Sequence, residues 1–354
     1  EGPWLPDQGH RFDPEKLLLD PYADTLDRAF AWHTPLASVR AAAIDTAPWV
    51  PKAVVSPVWT AVPRPKPHTP GIIYEVSVRA FTQCHPDIPP EIRGTVAALA
   101  HPAVIAHLRR IGVDTIELMP LMAWMDERHL PPLGLRNAWG YNPVSFFAPD
   151  PRLAPGGLGE VRQTVSALHD AGFQVILDVV FNHTAESDKF GATVSLRGLD
   201  NALYYRHASG NPGLLVNDTG CGNTLALDQA PVLRLAMDAL RHWVHATGLD
   251  GFRFDLATVL GRLPNGFSPQ APLLAAIAQD PLLSSLVLIA EPWDIGPGGY
   301  QLGAFGAPWH EWNDRYRDDV RRFWRGDFGL IGALATRIAG SSDLFHGSHR
   351  PPSA

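Results

Sequence analysis

The sequence predicts an α/β fold built on a parallel β-sheet. From residue 71 onward, short apolar runs alternate with stretches of helical periodicity, which is the pattern of consecutive strand-helix-strand units. Polar side chains gather where several of these runs end, and parallel sheets build their functional sites at that edge. The chain of 354 residues also exceeds the roughly 250 residues of a (β/α)8 barrel. One barrel-sized core with inserted loops, or with part of a second domain, therefore fits the length.

Six apolar runs are the predicted strands, and they cover residues 71–78, 114–119, 174–180, 250–255, 286–291 and 309–313. Two stretches between them predict amphipathic helices on the sheet, because their apolar residues recur at helical spacing. These stripes consist of Val161, Val165 and Leu168, and of Leu233, Met237, Leu240 and Val244. The apolar stretch 281–290 is shorter than the about 20 residues of a membrane-spanning helix, and it predicts a buried strand.

The first part of the chain differs in composition from the rest. Residues 1–47 are polar and aromatic, and residues 48–70 include seven prolines, which is typical of an extended connector. We place a domain boundary near residue 55, so that residues 56–354 form the predicted barrel domain. The preceding part is too short for a β-sandwich of about 100 residues. It is either an irregular arm or the end of a domain that starts outside this sequence, and we favour the second.

Composition and charge exclude several classes of protein. Hydrophobic residues make up 45% of the chain and charged residues 18%, which excludes a disordered chain. The net charge is −7 and no basic run is present, which argues against a nucleic-acid partner. Two cysteines, Cys84 and Cys221, lack the spacing of a zinc site and fit a reducing compartment. Because the chain also starts without a secretory signal, we expect a cytoplasmic protein with no membrane partner.

The fourth predicted strand, GFRFD (251–255), carries the clearest functional pattern. Side chains alternate between the two faces of a strand, so Arg253 and Asp255 share one face while two phenylalanines occupy the other. If the phenylalanines pack under helices, the charged pair faces the barrel axis. The arginine would keep the Asp255 carboxylate ionised, as a nucleophile requires. A purely structural ion pair explains this strand equally well.

Two other strand ends carry polar groups. Glu291 ends the apolar fifth strand, where partial burial would raise the pKa of its carboxyl group and suit it to general acid catalysis. A helix cap or an ion-pair partner is the alternative for this residue. On the third strand, Asp178 and Asn182 share a face, and His183 follows where the strand ends. A single histidine is more often structural, but three polar groups at one strand end favour a site.

These groups together suggest glycoside hydrolysis. In that reaction one carboxylate attacks the anomeric carbon of a sugar and another protonates the leaving oxygen. The chain has 11 tryptophans, and aromatic rings stack on the C–H faces of sugars. Non-catalytic ion pairs in an unrelated α/β barrel remain the structural alternative.

Three short motifs, which follow one another along the chain at strand ends, resemble those of a known family. DVVFNH (178–183), GFRFD (251–255) and AEPW (290–293) resemble signature regions of the α-amylase family of glycoside hydrolases. The resemblance covers roughly residues 65–350 and implies a TIM-type (β/α)8 barrel. It implies that Asp255 is the nucleophile and that Glu291 is the general acid/base.

The same resemblance assigns the surrounding residues to substrate binding. It implies that Arg253 and Asp178 hold the nucleophile and that Asn182 and His183 line the subsite of the cleaved sugar. The segment NAWGYNP (137–143) resembles the loop that places a tyrosine, here Tyr141, under that sugar. From these residues we expect an aromatic stacking wall for an α-glucan, formed by Trp139, Tyr141 and Trp293.

Within the family, the chain is most similar to glycogen debranching enzymes and isoamylases. The similarity lies in segments 217–228, 251–258, 291–305 and 311–327. It implies hydrolysis of α-1,6 branch linkages in glycogen or another branched α-glucan by a retaining double-displacement mechanism. Residues 9–22 resemble the end of the carbohydrate-binding-type β-sandwich that precedes the barrel in these enzymes, so we interpret residues 1–55 as its tail plus a linker.

The chain also departs from the family pattern. No His-Asp pair of the fourth signature follows Glu291, and residues 348–354 resemble the stretch before the seventh strand. We therefore expect an incomplete barrel of about six strands and a chain that is an inactive fragment when alone. The alternative is a non-catalytic glucan-binding or regulatory chain derived from this family. We expect no cofactor and no metal ion, although calcium stays open because its oxygen ligands come from scattered loops.

Overall fold

The computed structural model describes residues 2–345 and contains the predicted parallel sheet. Six strands pair with their neighbours in chain order, and every pairing in this sheet is parallel. The strands are β1 (Ile73–Val76), β2 (Thr115–Leu118), β3 (Gln174–Val179), β4 (Gly251–Phe254), β5 (Val287–Ala290) and β6 (His310–Glu311). All six predicted strands are confirmed. The stretch 281–290 is only partly a strand, because a 3-10 turn at Leu283–Ser285 precedes β5.

Nine α-helices surround this sheet among the described residues. They are α1 (Val78–Thr82), α2 (Pro102–Arg110), α3 (Gly157–Asp170), α4 (Leu196–Tyr204), α5 (Ala230–Thr247), α6 (Ala257–Leu260), α7 (Pro272–Gln279), α8 (Asp314–Arg325) and α9 (Ile331–Ile338). The two helices predicted from periodicity are α3 and α5. Helix α5 ends at Gly248, whose φ of 83° lies in the left-handed region that favours glycine. None of the described helices has both the length and the apolar content to cross a bilayer.

The two faces of the sheet differ in chemistry. On the outer face, Phe252 and Phe254 are fully buried in the main core together with Leu168 of α3 and Leu240 of α5. The inner face has a separate, smaller apolar cluster that includes Ile176 of β3 with two residues of β5. As the strand period predicts, the charged residues of β4 lie on this inner face. The helices therefore cover the outer face, and the chemistry lies on the inner one.

The sheet curls into a half-barrel whose edge strands are β1 and β6. A (β/α)8 barrel closes only when its last strand pairs with its first. The expected incomplete TIM-type barrel is therefore confirmed for residues 2–345. The segment that resembles the approach to a seventh strand, 348–354, lies outside the described residues.

Residues 2–55 form an irregular segment, here called the N-terminal arm. Its strands are two short ones, Trp4–Leu5 and His10–Arg11, paired antiparallel. The arm packs on the barrel loops, where the amide of Leu19 donates to the carbonyl oxygen of Val194 at 2.7 Å. Apolar arm residues such as Phe30 form one cluster with residues of the loops after β2 and β3. The interpretation of this segment as the tail of a β-sandwich stays a prediction.

Candidate active site

Arg253 of β4 is the centre of the candidate site. Its Nη1 lies 3.0 Å from Asp178 Oδ1 and 3.2 Å from Asp255 Oδ1, and its Nη2 lies 3.2 Å from Glu291 Oε2. Burial alone would lower the pKa of Arg253, but the charges of these three carboxylates outweigh it and raise the pKa. One buried guanidinium thus joins the carboxyl ends of β3, β4 and β5.

Asp255 is held from a second side by Asn182. The Asn182 side-chain amide donates to the Asp255 backbone oxygen at 2.7 Å and to its Oδ2 at 2.8 Å. The next residue, Leu256, has a φ of 43°, which is rare for a side chain of this size. This turn directs the Leu256 amide at Glu291 Oε2, 2.7 Å away. The backbone after the candidate nucleophile therefore positions the candidate acid.

Glu291 combines burial with three donors. Besides Arg253 and the Leu256 amide, the indole Nε1 of Trp293 donates to Glu291 Oε1 at 2.9 Å. Burial and then the charge of Asp255 raise the pKa of Glu291, while the donors oppose the rise. A carboxyl group with a raised pKa can serve as a general acid near neutral pH. In the structure, Trp293 thus contacts the candidate acid through its indole N–H group.

Tyr141 connects its loop to the third strand. Its hydroxyl donates to Asp178 Oδ2 at 2.5 Å, and its carbonyl oxygen accepts from His183 Nε2 at 3.0 Å. Burial raises the pKa of Asp178 to about 7, although Arg253 opposes the shift. Burial lowers the pKa of His183, which favours the neutral imidazole. These bonds fix the Tyr141 ring against the inner face of the sheet.

The three aromatic residues predicted to bind substrate do not all contact one another. Trp139 is 71% exposed, and its ring meets the Tyr141 ring edge to face with centroids 6.5 Å apart. Trp293 contacts Glu291 on β5's side of the site instead. The structure thus brings together the seven other predicted residues, with Trp139 at the exposed rim: Tyr141, Asp178, Asn182, His183, Arg253, Asp255 and Glu291.

Glu117 of β2 is a buried charged residue that the sequence analysis missed. It is fully buried, and neither carboxyl oxygen has a hydrogen-bond partner among the described residues. The Nε of Arg253, also without a hydrogen-bond partner, lies 4.0 Å from Glu117 Oε1. Burial and then the charge of Asp178 raise the pKa of Glu117 well above its ordinary value. The signal was present, because Glu117 is an acidic residue inside an otherwise apolar strand.

Glu75, Glu117 and Asp178 form an acidic group with one oxygen of each within 4.8 Å of the others. Asp178 already binds Arg253 and Tyr141, so a cation there would compete with existing donors. The expectation that no metal ion or other cofactor is needed stays a prediction, and the calcium question stays open.

Arg262 is a second missed residue, and it fixes the loop after β5. Its guanidinium makes two hydrogen bonds to the carboxylate of Asp294, at 2.7 and 2.5 Å, and lies 3.6 Å from Asp218. Asp218 and Asp294 belong to the debranching-like segments 217–228 and 291–305. One arginine therefore holds these two segments together beside the site.

Known proteins resemble the chain over its whole length. It is 50% identical to a glycogen debranching enzyme of Yersinia enterocolitica and 44% identical to a glycogen operon protein GlgX homologue of Mycobacterium bovis. Both alignments cover 100% of this chain, but only 54% and 52% of the relatives. The chain is a homologue of proteins named glycogen debranching enzyme. It spans about half the length of the curated relatives that it matches.

Solved structures of known proteins share the fold described above. A pullulanase from Anoxybacillus sp. LM18-11, crystallised with maltotriose, matches this chain with a TM-score of 0.69 at 24% identity. The match covers 93% of this chain and 47% of the pullulanase. Pullulanase type I from Bacillus subtilis gives a TM-score of 0.67, also at 24% identity. No family model matches the chain. The predicted family resemblance is confirmed, while the roles of individual residues stay predictions.

Proposed function

We propose that the chain carries the catalytic region of a glycogen debranching enzyme that hydrolyses α-1,6-glucosidic branch linkages. The observation that carries this proposal is the single Arg253 guanidinium bound to both Asp255 and Glu291. A nucleophile and an acid tied to one side chain keep a fixed relation to each other and to a sugar between them. The names of the relatives support glycogen as the substrate.

The first step of the proposed reaction forms a bond between protein and sugar. An Asp255 carboxylate oxygen attacks the anomeric carbon at the branch point while the bond from that carbon to the leaving oxygen breaks. The carboxyl proton of Glu291 moves to the leaving oxygen and frees the chain that carried the branch. Arg253 and Asn182 orient Asp255 for this attack, because both donate to its carboxylate.

The second step releases the sugar with its original anomeric configuration. Water attacks the anomeric carbon, its proton moves to Glu291, and the Asp255 carboxylate leaves. Retention requires carboxyl groups about 5 to 5.5 Å apart, against about 6.5 to 9.5 Å for inversion. The shared guanidinium supports the closer spacing, since its two terminal nitrogens lie 3.2 Å from oxygens of Asp255 and Glu291.

Substrate contacts are proposed from the groups around these carboxylates. The Tyr141 ring, fixed by Asp178, is the proposed platform under the cleaved sugar, and exposed Trp139 extends it toward solvent. Asn182 and His183 are buried beside this platform, and His183 holds it through the Tyr141 carbonyl oxygen. The partner is a branched α-glucan, and a cytoplasmic location without nucleic-acid or membrane partners is part of the same proposal.

The test measures reducing ends released from glycogen limit dextrin and from linear amylose. We expect release from the branched substrate with retention of anomeric configuration, little release from amylose, and none from either with Asp255→Asn. Faster cleavage of amylose than of branches would reject the debranching assignment. Tight binding of glucan without turnover would instead favour the non-catalytic glucan-binding alternative predicted from the sequence.

A further inference from the structure

Arg262 lies outside the carboxylate cluster, in a short β-hairpin that follows β4. The hairpin pairs residues 262–263 with residues 266–267. Its arginine side chain is only 9% exposed, and it contacts the two debranching-like segments 217–228 and 291–305 through Asp218 and Asp294. We call these three residues the Arg262 cluster. The reaction proposed above gives the cluster no role.

Arg262 binds the loop after β5 at three points. Its Nε and Nη2 donate to the two carboxylate oxygens of Asp294, at 2.7 and 2.5 Å, and its Nη1 donates to the carbonyl oxygen of Pro297 at 2.9 Å. The Asp294 side chain is fully buried. A two-point pair between an arginine and a carboxylate fixes orientation as well as distance. The hairpin therefore holds this loop in one position.

The segment 217–228 packs tightly on the same guanidinium. Arg262 Nε lies 3.6 Å from Asp218 Oδ2, and the Asp218 carbonyl oxygen accepts from the Ile295 amide at 3.3 Å. A Cβ atom on Gly296 would lie 2.6 Å from both Arg262 Nη2 and Asp218 Oδ1, well inside the ordinary contact distance of about 3.5 to 4.0 Å. The cluster therefore has no room for a side chain at position 296.

The loop that Arg262 holds also carries the indole that contacts the candidate acid. Trp293 directly precedes Asp294, and its Nε1 donates to Glu291 Oε1 at 2.9 Å. The Trp293 amide donates to the Glu291 carbonyl oxygen, also at 2.9 Å. Residues 291–294 thus form one turn that is fixed by β5 at its start and by Arg262 at its end. A displacement of Asp294 would move the indole away from the Glu291 carboxyl group.

We propose that Arg262 is a positioning residue for proton transfer by Glu291: it holds Asp294, which fixes the Trp293 indole, and the indole orients the carboxyl group that delivers the proton. This inference rests on the proposed function, because it takes Glu291 as the general acid. It gives segments 217–228 and 291–305 a shared role, which is to set the orientation of the acid.

The test uses two substrates that differ in their need for an acid. Cleavage of a branch in glycogen limit dextrin requires a proton on the leaving oxygen. In α-maltotriosyl fluoride, the carbon–fluorine bond breaks as Asp255 bonds to the anomeric carbon, and fluoride leaves as an anion without that proton. Added azide then attacks the anomeric carbon and releases Asp255, and it has no proton for Glu291 to accept. A defect confined to Glu291 therefore slows cleavage of the dextrin and spares release of fluoride.

We expect Arg262→Met to lower kcat on glycogen limit dextrin by about 10²-fold, because a misplacement of about 1 Å costs about that much in rate. KM and the rate of fluoride release in azide should change by less than about threefold. Arg262→Lys, which keeps the charge, should recover part of the loss. Equal losses on the two substrates, or no loss on the dextrin, would overturn the proposal.

Arg241 provides a matched control. Its Nε and Nη2 lie 2.8 and 2.7 Å from Oδ2 of buried Asp280, which precedes β5, whereas Asp294 follows β5. Arg241→Met therefore removes an ion pair away from the acid, and we expect it to leave the ratio of the two rates unchanged. A similar change of the ratio in Arg241→Met would assign the effect to a general loss of stability and would reject the role of Arg262.

Gly296→Ala keeps the proposal testable if Arg262→Met fails to fold. The added methyl group displaces the guanidinium without removing its charge, so we expect the same selective loss on limit dextrin. Gly298→Ala, in the same loop, is the control. Gly298 has a φ of 65°, so its substitution strains the backbone, but a Cβ atom there meets no described atom within 4 Å. Equal effects of these two substitutions would reject the proposal.

The proposed function and this inference fail in different ways, and both are measured on the full-length protein. If the native protein cleaves neither limit dextrin nor amylose, the proposed function is rejected and this inference with it. If the native protein cleaves amylose but not branches, only the debranching assignment is rejected, and the rate on amylose relative to fluoride release still tests Arg262. If branches are cleaved and Arg262→Met slows both substrates equally, only this inference is rejected.

Discussion

Buried carboxyl groups occupy two contrasting regions on the inner face of the sheet. At the strand ends, Asp178, Asp255 and Glu291 all contact Arg253, and each has at least one further donor. On β2, Glu117 is fully buried, as Asp178 is, but it has no hydrogen-bond partner among the described residues. Burial raises the pKa of Glu117, Asp178 and Glu291 alike, and only Asp178 and Glu291 have hydrogen-bond donors that oppose the rise. The donors of the first region stabilise charged carboxylates, whereas the surroundings of Glu117 favour its protonated form.

Glu186, outside the site, is a buried glutamate that has hydrogen-bond donors. It is 1% exposed, yet its carboxylate accepts from the backbone amides of Val194, Ser195 and Arg197 and from the hydroxyl of Tyr205. Glu117 and Glu186 are therefore a natural pair of equally buried glutamates with opposite surroundings. Replacing each of them tests the comparison directly.

The largest expected effect comes from Asp255→Asn in the region with donors. The amide cannot act as a nucleophile, so we expect turnover of branched glucan to fall by about 10⁴-fold or more. Affinity for maltohexaose should stay within a few-fold, because the substitution changes neither size nor the aromatic contacts. Initial rates of reducing-end release and calorimetric titration measure the two quantities. Exposed Asp318, replaced in the same way, is the control; residual activity of a tenth or more would remove Asp255 from the nucleophile role.

The next effect concerns the cation that holds this region together. Arg253→Met leaves three buried carboxylates without their shared partner, and breaking such a buried network costs about 3 to 5 kcal/mol of unfolding free energy. Urea denaturation measures this loss. The control is Arg128→Met, which removes a half-exposed pair with Asp188 worth about 1 kcal/mol or less. Comparable losses for the two variants would contradict the central role of Arg253.

The site residues that lie on strands could be predicted from the sequence, because side chains alternate between the two faces of a strand with a period of two residues. Arg253 and Asp255 follow from alternation on β4, and Glu291 follows from its position at the end of β5. Glu117 follows the same alternation on β2, but it lies inside the strand, and the sequence analysis considered only polar residues at strand ends. The packing of the N-terminal arm had no comparable signal, since Phe30 and Trp32 pack with residues of loops that follow two different strands, β2 and β3. Loop geometry depends on many weak tertiary contacts that one sequence does not encode in any local pattern.

The third prediction compares Glu117→Gln with Glu186→Gln. A carboxyl group whose pKa is raised on folding contributes stability below its unfolded pKa, and that contribution is lost as pH rises through the folded pKa. We therefore expect the stability of Glu117→Gln to be closest to that of the native chain at pH 5 and to exceed it at pH 8. Glu186→Gln should lose about 1 to 3 kcal/mol at pH 8, because the new amide faces N–H donors. Melting temperatures of both variants between pH 5 and 9 measure these differences. If Glu186→Gln stabilised the chain, the two glutamates would not differ in the way that their hydrogen bonds predict.

The smallest expected effect is a shift in pH dependence. The Trp293 indole donates to the charged form of Glu291 and thereby lowers its pKa, opposing the rise from burial. Trp293→Phe removes that donor, so the pKa of Glu291 should rise further. A general acid must be protonated to act, and activity falls as pH rises through its pKa. The alkaline limb of kcat/KM on glycogen limit dextrin should therefore move to higher pH. Trp139→Phe, at the exposed rim, is the control that changes KM without moving this limb. An unmoved limb in Trp293→Phe would mean that a group other than Glu291 supplies the proton.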